Sequence, residues 1–144
     1  MKSPKASDKP RFFYRFENFK RAFLLLREAI EITLERETTQ LEKEGIVQRF
    51  EYTWELAWKT LKDYLEHTGI ILETVTPSAT IKAAFAANII QEGDVWMQAL
   101  DARNLMSHVY DFKSFNKVID DIAAKYLNIL DDFYHDMLEK TNEE

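Results

Sequence analysis

The sequence predicts an all-α protein, an antiparallel up-and-down bundle of four long helices with one short helix between them. Apolar residues recur at steps of three and four over long stretches, the spacing of one buried helix face. Glycine and proline number three each in 144 residues, too few for the many turns of an all-β chain. The connections between the periodic stretches are short, and long amphipathic helices joined that way pack as antiparallel neighbours.

Residues 1–9 are polar and charged without periodicity and read as a disordered tail, ahead of a single domain over 10–140. The first helix begins at Arg11. Phe16, Phe19, Phe23, Leu26 and Ile30 form its stripe, and charges fill the other face through about Arg36. The Thr38-Thr39 pair suits a cap before the second helix, about Leu41 to His67, whose stripe is Val47, Phe50, Trp54, Ala57, Leu61 and Leu65. Gly69 sits where a left-handed cap would close it. Ile70 to Val75 reads as a loop, and Ser78 as the cap of a short helix from Ala79 to about Ile90. Gly93-Asp94 breaks that pattern, with Asp94 as a cap for a helix to about His108. Asp111 to Ser114 is a connection with Ser114 as cap. The last helix carries Phe115, Val118, Ile122, Tyr126, Ile129 and Phe133, and frays near Lys140.

Charge and composition exclude several classes. The net charge of −6 divides unevenly, because residues 1–27 hold eight Lys/Arg against two acids while the rest is strongly acidic. A uniformly basic footprint for nucleic acid is therefore absent, and any RNA contact is local. The plain alternative is a solvated basic tail and helix face. No cysteine occurs, which excludes disulfides, thiolate zinc sites and a cysteine nucleophile, and suits a cytoplasmic location. Apolar runs are too short to span a membrane, and the first residues lack the apolar core of a secretory signal. No glycine cluster is present to cradle a phosphate or a dinucleotide. Asp120-Asp121 and Asp131-Asp132 read as solvated helix face, since helical neighbours point about 100° apart. His67, His108 and His135 fall in no metal-binding spacing, so no metal site is expected. His67 suits the negative end of the second helix, and His135 the surface.

One segment concentrates polar chemistry: Asp101-Ala102-Arg103-Asn104-Leu105-Met106-Ser107-His108-Val109-Tyr110-Asp111. On a continuous helix Arg103, Ser107 and Tyr110 share one stripe, and Asn104, His108 and Asp111 the next. Arg103 offers a fork for phosphate oxygens, and His108 can exchange a proton near neutral pH. Asn104 could orient the imidazole, and Tyr110 presents a hydroxyl. An arginine and a histidine at one phosphodiester can cleave RNA without metal, the histidine taking the 2′-OH proton and the arginine stabilising charge on phosphorus oxygens. The alternative is a polar network tying the helix to its neighbours, with Arg103 paired to a glutamate. In the second helix Glu51, Glu55 and Lys59 share a stripe in the stabilising Glu-to-Lys order, with Arg49, Tyr52 and Thr53 beside it. That pattern alone reads as an exposed salt-bridged face, but the adjacent Trp58 suggests partial cover.

These two segments resemble the signatures of nucleotidyltransferase substrate-binding proteins, a branch of the HEPN superfamily. The first is Gln48-Arg49-Phe50-Glu51-x-Thr53-x-Glu55-Leu56-x-Trp58-Lys59, and the second is Arg103-Asn104-x-x-Ser107-His108-x-Tyr110-Asp111; Thr76-Pro77 and Trp96 also fit. The resemblance covers roughly residues 12–138. It implies a four- or five-helix bundle, a homodimer, and a minimal nucleotidyltransferase encoded nearby that carries ATP and magnesium, with no cofactor on this chain. It implies a partner or substrate face at Arg49, Glu51, Glu55, Trp58 and Lys59. In related HEPN proteins the Arg and His form a metal-independent ribonuclease site at the dimer cleft, roles that fall here on Arg103 and His108 with Asn104 and Ser107 in support. In some toxin–antitoxin pairs the partner adds AMP to the tyrosine, which falls on Tyr110. Two functional readings follow: a binding subunit for the nucleotidyltransferase, or a ribonuclease toxin that this partner silences. A third is an interaction bundle whose polar network is structural.

Overall fold

The computed structural model describes residues 9–108 and 110–143. The tail expected over 1–9 lies, apart from Lys9, outside the described residues. The elements are α1 (Arg11–Glu35), α2 (Gln40–His67), α3 (Pro77–Ala86), α4 (Gly93–Met106), α5 (Phe112–Asp121) and α6 (Leu127–Glu143). A π-helical turn, Ile122–Tyr126, joins α5 to α6, so the last helix is unbroken from Phe112 to Glu143. No strand occurs among the described residues. None of their helices is long and apolar enough to cross a membrane.

Every residue of the three expected stripes is buried: Phe16 to Ile30 on α1, Val47 to Leu65 on α2, Phe115 to Phe133 on the last helix. Phe12 extends the first stripe by one turn and is fully buried. Helix α2 lies at the centre, packed against α1, α3, α4 and α5. Helices α1 and α2 run antiparallel, since Phe12 meets Tyr64 at one end while Arg36 meets Glu42 at the other. Aromatic rings connect the layers. Trp54 of α2 lies 5.1 Å from Trp96 of α4, Trp96 meets Phe133 of α6 edge-on at 5.5 Å, and Phe133 meets Phe19 of α1 at 5.2 Å. Offset and edge-to-face rings of this kind contribute about 0.5–1.5 kcal/mol each beyond their buried area.

The helix ends show where local chemistry overrides a simple reading. Thr39 caps α2 as expected, in a full capping box with Glu42. Gly69, at φ 90°, closes α2: Ile70 N–H donates to Leu65 O and Gly69 N–H to Glu66 O, the paired bonds of a left-handed helix stop. Three caps differ from the sequence reading. Thr76, not Ser78, caps α3, because Pro77 is preorganised for the first helical position and its missing N–H is not needed there. Helix α4 starts at Gly93, with Glu92 ahead of it in the left-handed region at φ 51°; Asp94 lies in the first turn, where its charge favours the dipole. Asp111, not Ser114, caps α5: its carboxylate accepts from Ser114 N–H at 2.8 Å and from the Ser114 hydroxyl at 3.1 Å. Helix α3 also stops at Ala86, short of Ile90, where Asn88 takes the left-handed turn at φ 61°.

A polar seam between α2 and α4

Glu55 projects from α2 toward α4, and Arg103 projects from α4 to meet it. Arg103 Nη2 donates to Glu55 Oε2 at 2.9 Å. Lys59, one turn along α2, lies with Nζ 3.2 Å from Glu55 Oε1, so each carboxylate oxygen faces a cation. The side chains of Arg103, Glu55 and Lys59 are 31%, 29% and 36% exposed, which places the cluster at the mouth of the seam. Trp58 covers its inner side and is buried. One buried donor here, Arg103 Nε, has no acceptor, and the buried Trp58 Nε1 interacts with Glu55 only outside ordinary hydrogen-bond geometry.

The electrostatics follow from this arrangement. Burial alone would push the Glu55 carboxyl up, but the Trp58 indole, Lys59 and Arg103 together outweigh it and hold the group below its ordinary range. One turn earlier, burial pushes the Glu51 carboxyl up, and the Arg103 charge offsets only part of that. Arg49 lies apart from the cluster. Its Nη1 donates to Leu25 O of α1 at 2.8 Å, and it lines a shallow groove of about 170 Å³ with Ala29, Ile32, Gly45 and Ile46. Of the expected α2 face, Glu51, Glu55, Trp58 and Lys59 therefore gather around Arg103, while Arg49 serves the α1–α2 seam.

The second expected motif is divided by the end of α4. The helix stops at Met106, not His108, and tightens as Ser107 N–H donates to Arg103 O and Asn104 O, and His108 N–H to Leu105 O. Tyr110 therefore lies beyond the helix, and the shared stripe of Arg103, Ser107 and Tyr110 does not form. The chain has to turn here because Asp111 already adopts the extended conformation that opens α5. Tyr110 is 75% exposed and rests edge-on against Phe115 at 5.2 Å between ring centres. The Glu44 carboxylate, with some desolvation, pushes its hydroxyl pKa up. Glu44 and Glu55 are eleven residues apart on α2, about 16 Å along the axis at 1.5 Å per residue. The residues of α2 that act on Arg103 and on Tyr110 thus lie at different levels of that helix. His108 is exposed in the turn, and Asn104 Oδ1 accepts from Arg103 Nη1 at 3.3 Å instead of holding an imidazole. Ser107 donates its hydroxyl to Arg103 O at 3.2 Å.

Glu44 does not stand out in the sequence; it sits in the charged run Glu42-Lys43-Glu44, which carries no positional signal. His67 lies in the last turn of α2 against the Phe12 ring, and exposed His135 faces Asp131 at 3.5 Å. Among the described residues no group of three or more histidines and acids could hold a metal ion. A separate cleft of about 290 Å³ lies between the α3–α4 connection and α6, with Trp96, Phe133, Asp132 and Asp136 in its wall; none of the expected site residues lines it.

A family profile described as "Nucleotidyltransferase substrate binding protein like" matches residues 14–139, spanning α1 to α6 and both motifs. The fold is similar to a crystal structure of a protein from Thermus thermophilus, with a TM-score of 0.67 and 26% identity, over 78% of this chain and 92% of that one. No curated protein matches the sequence.

Proposed function

The chain belongs to the nucleotidyltransferase substrate-binding protein-like family, and from that premise we propose that it is the binding subunit of a two-component nucleotidyltransferase module of the toxin–antitoxin type. A separate minimal nucleotidyltransferase holds ATP and magnesium, and this chain docks on it and presents the acceptor. The family match over both motifs carries this reading. The Glu51, Glu55, Trp58 and Lys59 cluster supports it as the docking or substrate face, because its charges stand at an accessible seam instead of being dispersed over α2.

Tyr110 is the acceptor we assign. A phenol held for structure is packed with its hydroxyl closed to partners, whereas Tyr110 is largely exposed on the connection between α4 and α5. Transfer joins the phenol oxygen to the α-phosphorus of ATP, pyrophosphate leaves, and the phenolic proton passes to solvent or to Glu44. The added phosphodiester would bring negative charge and bulk to the end of α4. A second copy of the chain is part of the proposed assembly, supported by exposed Leu24 and Leu25 in the middle of α1 and exposed Leu34 and Leu41 flanking the α1–α2 turn.

The ribonuclease reading keeps one favourable observation, that His108 and the Arg103 side chain are both open to solvent at the end of α4. In that case His108 is the base, Arg103 stabilises charge, and the proposed modification of Tyr110 blocks RNA. The docking reading is tested by co-expressing the chain with the neighbouring nucleotidyltransferase and sizing the product by light scattering. A stable complex containing both chains is expected; two separate species at micromolar concentration would contradict it.

A further inference from the structure

We propose that Glu55 is a built-in carboxylate plug on a phosphate-binding site formed by Arg103, Lys59 and the Trp58 indole N–H. Both oxygens of Glu55 are engaged, one by each cation, at 2.9 and 3.2 Å. Yet a carboxylate has only two oxygens, and the cluster has more donors than they satisfy. Arg103 Nε is buried beside it with no acceptor, and buried Trp58 Nε1 interacts with Glu55 only outside ordinary hydrogen-bond geometry. The seam therefore holds more buried donors than Glu55 satisfies. A phosphate ester offers further acceptor oxygens in the right form, because the guanidinium fork takes phosphate oxygens in pairs, the ammonium adds a point charge, and the indole N–H a third direction.

The geometry also explains how the plug leaves. Glu55 stands on the surface of α2 and is about a third exposed, so a change of side-chain rotamer moves its carboxylate to water without moving a helix. Lys59 and Arg103 are open to a similar degree, and the ligand enters from the same side. With Glu51 and Glu55 both ionised, the two acids cancel the two cations and the seam draws no anion. Displacing Glu55 leaves a positive site. The ligand class is therefore a nucleotide phosphate, either free or within an RNA strand. The inference rests on the preceding reading only in taking this face as the working one, and its test uses the chain without any partner.

The test is titration with AMP and, in a parallel arm, with a 2′-O-methyl oligoribonucleotide that cannot be cleaved through its 2′ oxygen. The readouts are calorimetry and the Trp58 Nε1–H resonance. Glu55→Gln keeps the shape and removes the charge. It is expected to tighten binding of at least one ligand by about tenfold and to shift the Trp58 resonance on binding; the arm that responds identifies the source. Adding Arg103→Ala to Glu55→Gln is expected to abolish the gain. Glu73→Gln, which removes an equal charge from the exposed α2–α3 connection, is expected to give none. Unchanged affinity in Glu55→Gln for both ligands would overturn the proposal. So would a gain that survives Arg103→Ala, or one that Glu73→Gln reproduces. Helical circular dichroism confirms that each variant is folded, and binding is read against that.

Discussion

Arg103 Nη2 on α4 lies 2.9 Å from Glu55 Oε2 on α2, a contact that joins residues 48 positions apart and binds the two family motifs into one seam. Both groups are about 30% exposed, so the pair contributes modestly, about 0.5–1 kcal/mol. Arg103→Ala is expected to lower stability by about that much in urea unfolding while leaving the helix content unchanged. A loss of several kcal/mol would show that Arg103 is chiefly structural.

A different arginine carries more of the stability. Arg15 Nε lies 3.1 Å from Asp63 Oδ2, whose side chain is fully buried, and Lys62 adds a second cation at 3.5 Å from the other oxygen. Removing one partner of a buried pair costs about 3–5 kcal/mol when nothing replaces it; Lys62 remains and Arg15 is partly exposed, so Arg15→Ala is expected to cost about 2 kcal/mol. Replacing both, Arg15→Met with Asp63→Leu, is expected to recover most of the loss because no buried charge is left unpaired. A paired variant less stable than Arg15→Ala alone would contradict this.

The start of α2 is expected to loosen in acid. A side-chain hydrogen bond from Arg36, then the Thr39 backbone N–H, hold the Glu42 carboxyl down at about 2. Its folded value lies below its unfolded one, so the stabilisation is complete above the ordinary carboxylate range and is lost as pH falls from about 4.5 toward 2. Amide exchange over Gln40–Glu44, corrected for intrinsic pH dependence, is expected to accelerate across that window, and Glu42→Gln to remove the acceleration. The same profile in both proteins would contradict the assignment.

Tyr110 is expected to titrate above an ordinary phenol because the Glu44 carboxylate disfavours the phenolate, with desolvation adding to the effect. Glu44→Gln removes the charge and should lower the phenol midpoint, read by ultraviolet difference spectra against Tyr110→Phe. A midpoint that does not move would place Tyr110 away from Glu44.

The helices were legible because their signal is local. A stripe such as Phe16, Phe19, Phe23, Leu26 and Ile30 repeats the helical period within one segment, and burial followed it without exception. Helix ends were less legible because several residues compete to cap. Thr76 displaced Ser78 by two positions once Pro77 took the first turn, and Asp111 displaced Ser114 although both belong to the same cap. The π turn left no mark, since Ile122 and Tyr126 keep a step of four that an ordinary helix also shows. The site was half legible. Arg103 and Glu55 each stood out, and pairing Arg103 with a glutamate was one alternative, but which glutamate is a property of how α2 and α4 cross. Where α4 ends was decided by the turn into α5, and that took Tyr110 off the Arg103 stripe.

In the proposed module this chain presents an acceptor to a separate nucleotidyltransferase. That role is tested most directly by incubating the purified partner with ATP and magnesium, with and without this chain, and following pyrophosphate release together with the intact mass of the chain. Release is expected to depend on the chain, with a mass increase of one or more AMP units mapping to Tyr110 and loss of both in Tyr110→Phe. Equal release with and without the chain, with its mass unchanged, would contradict it.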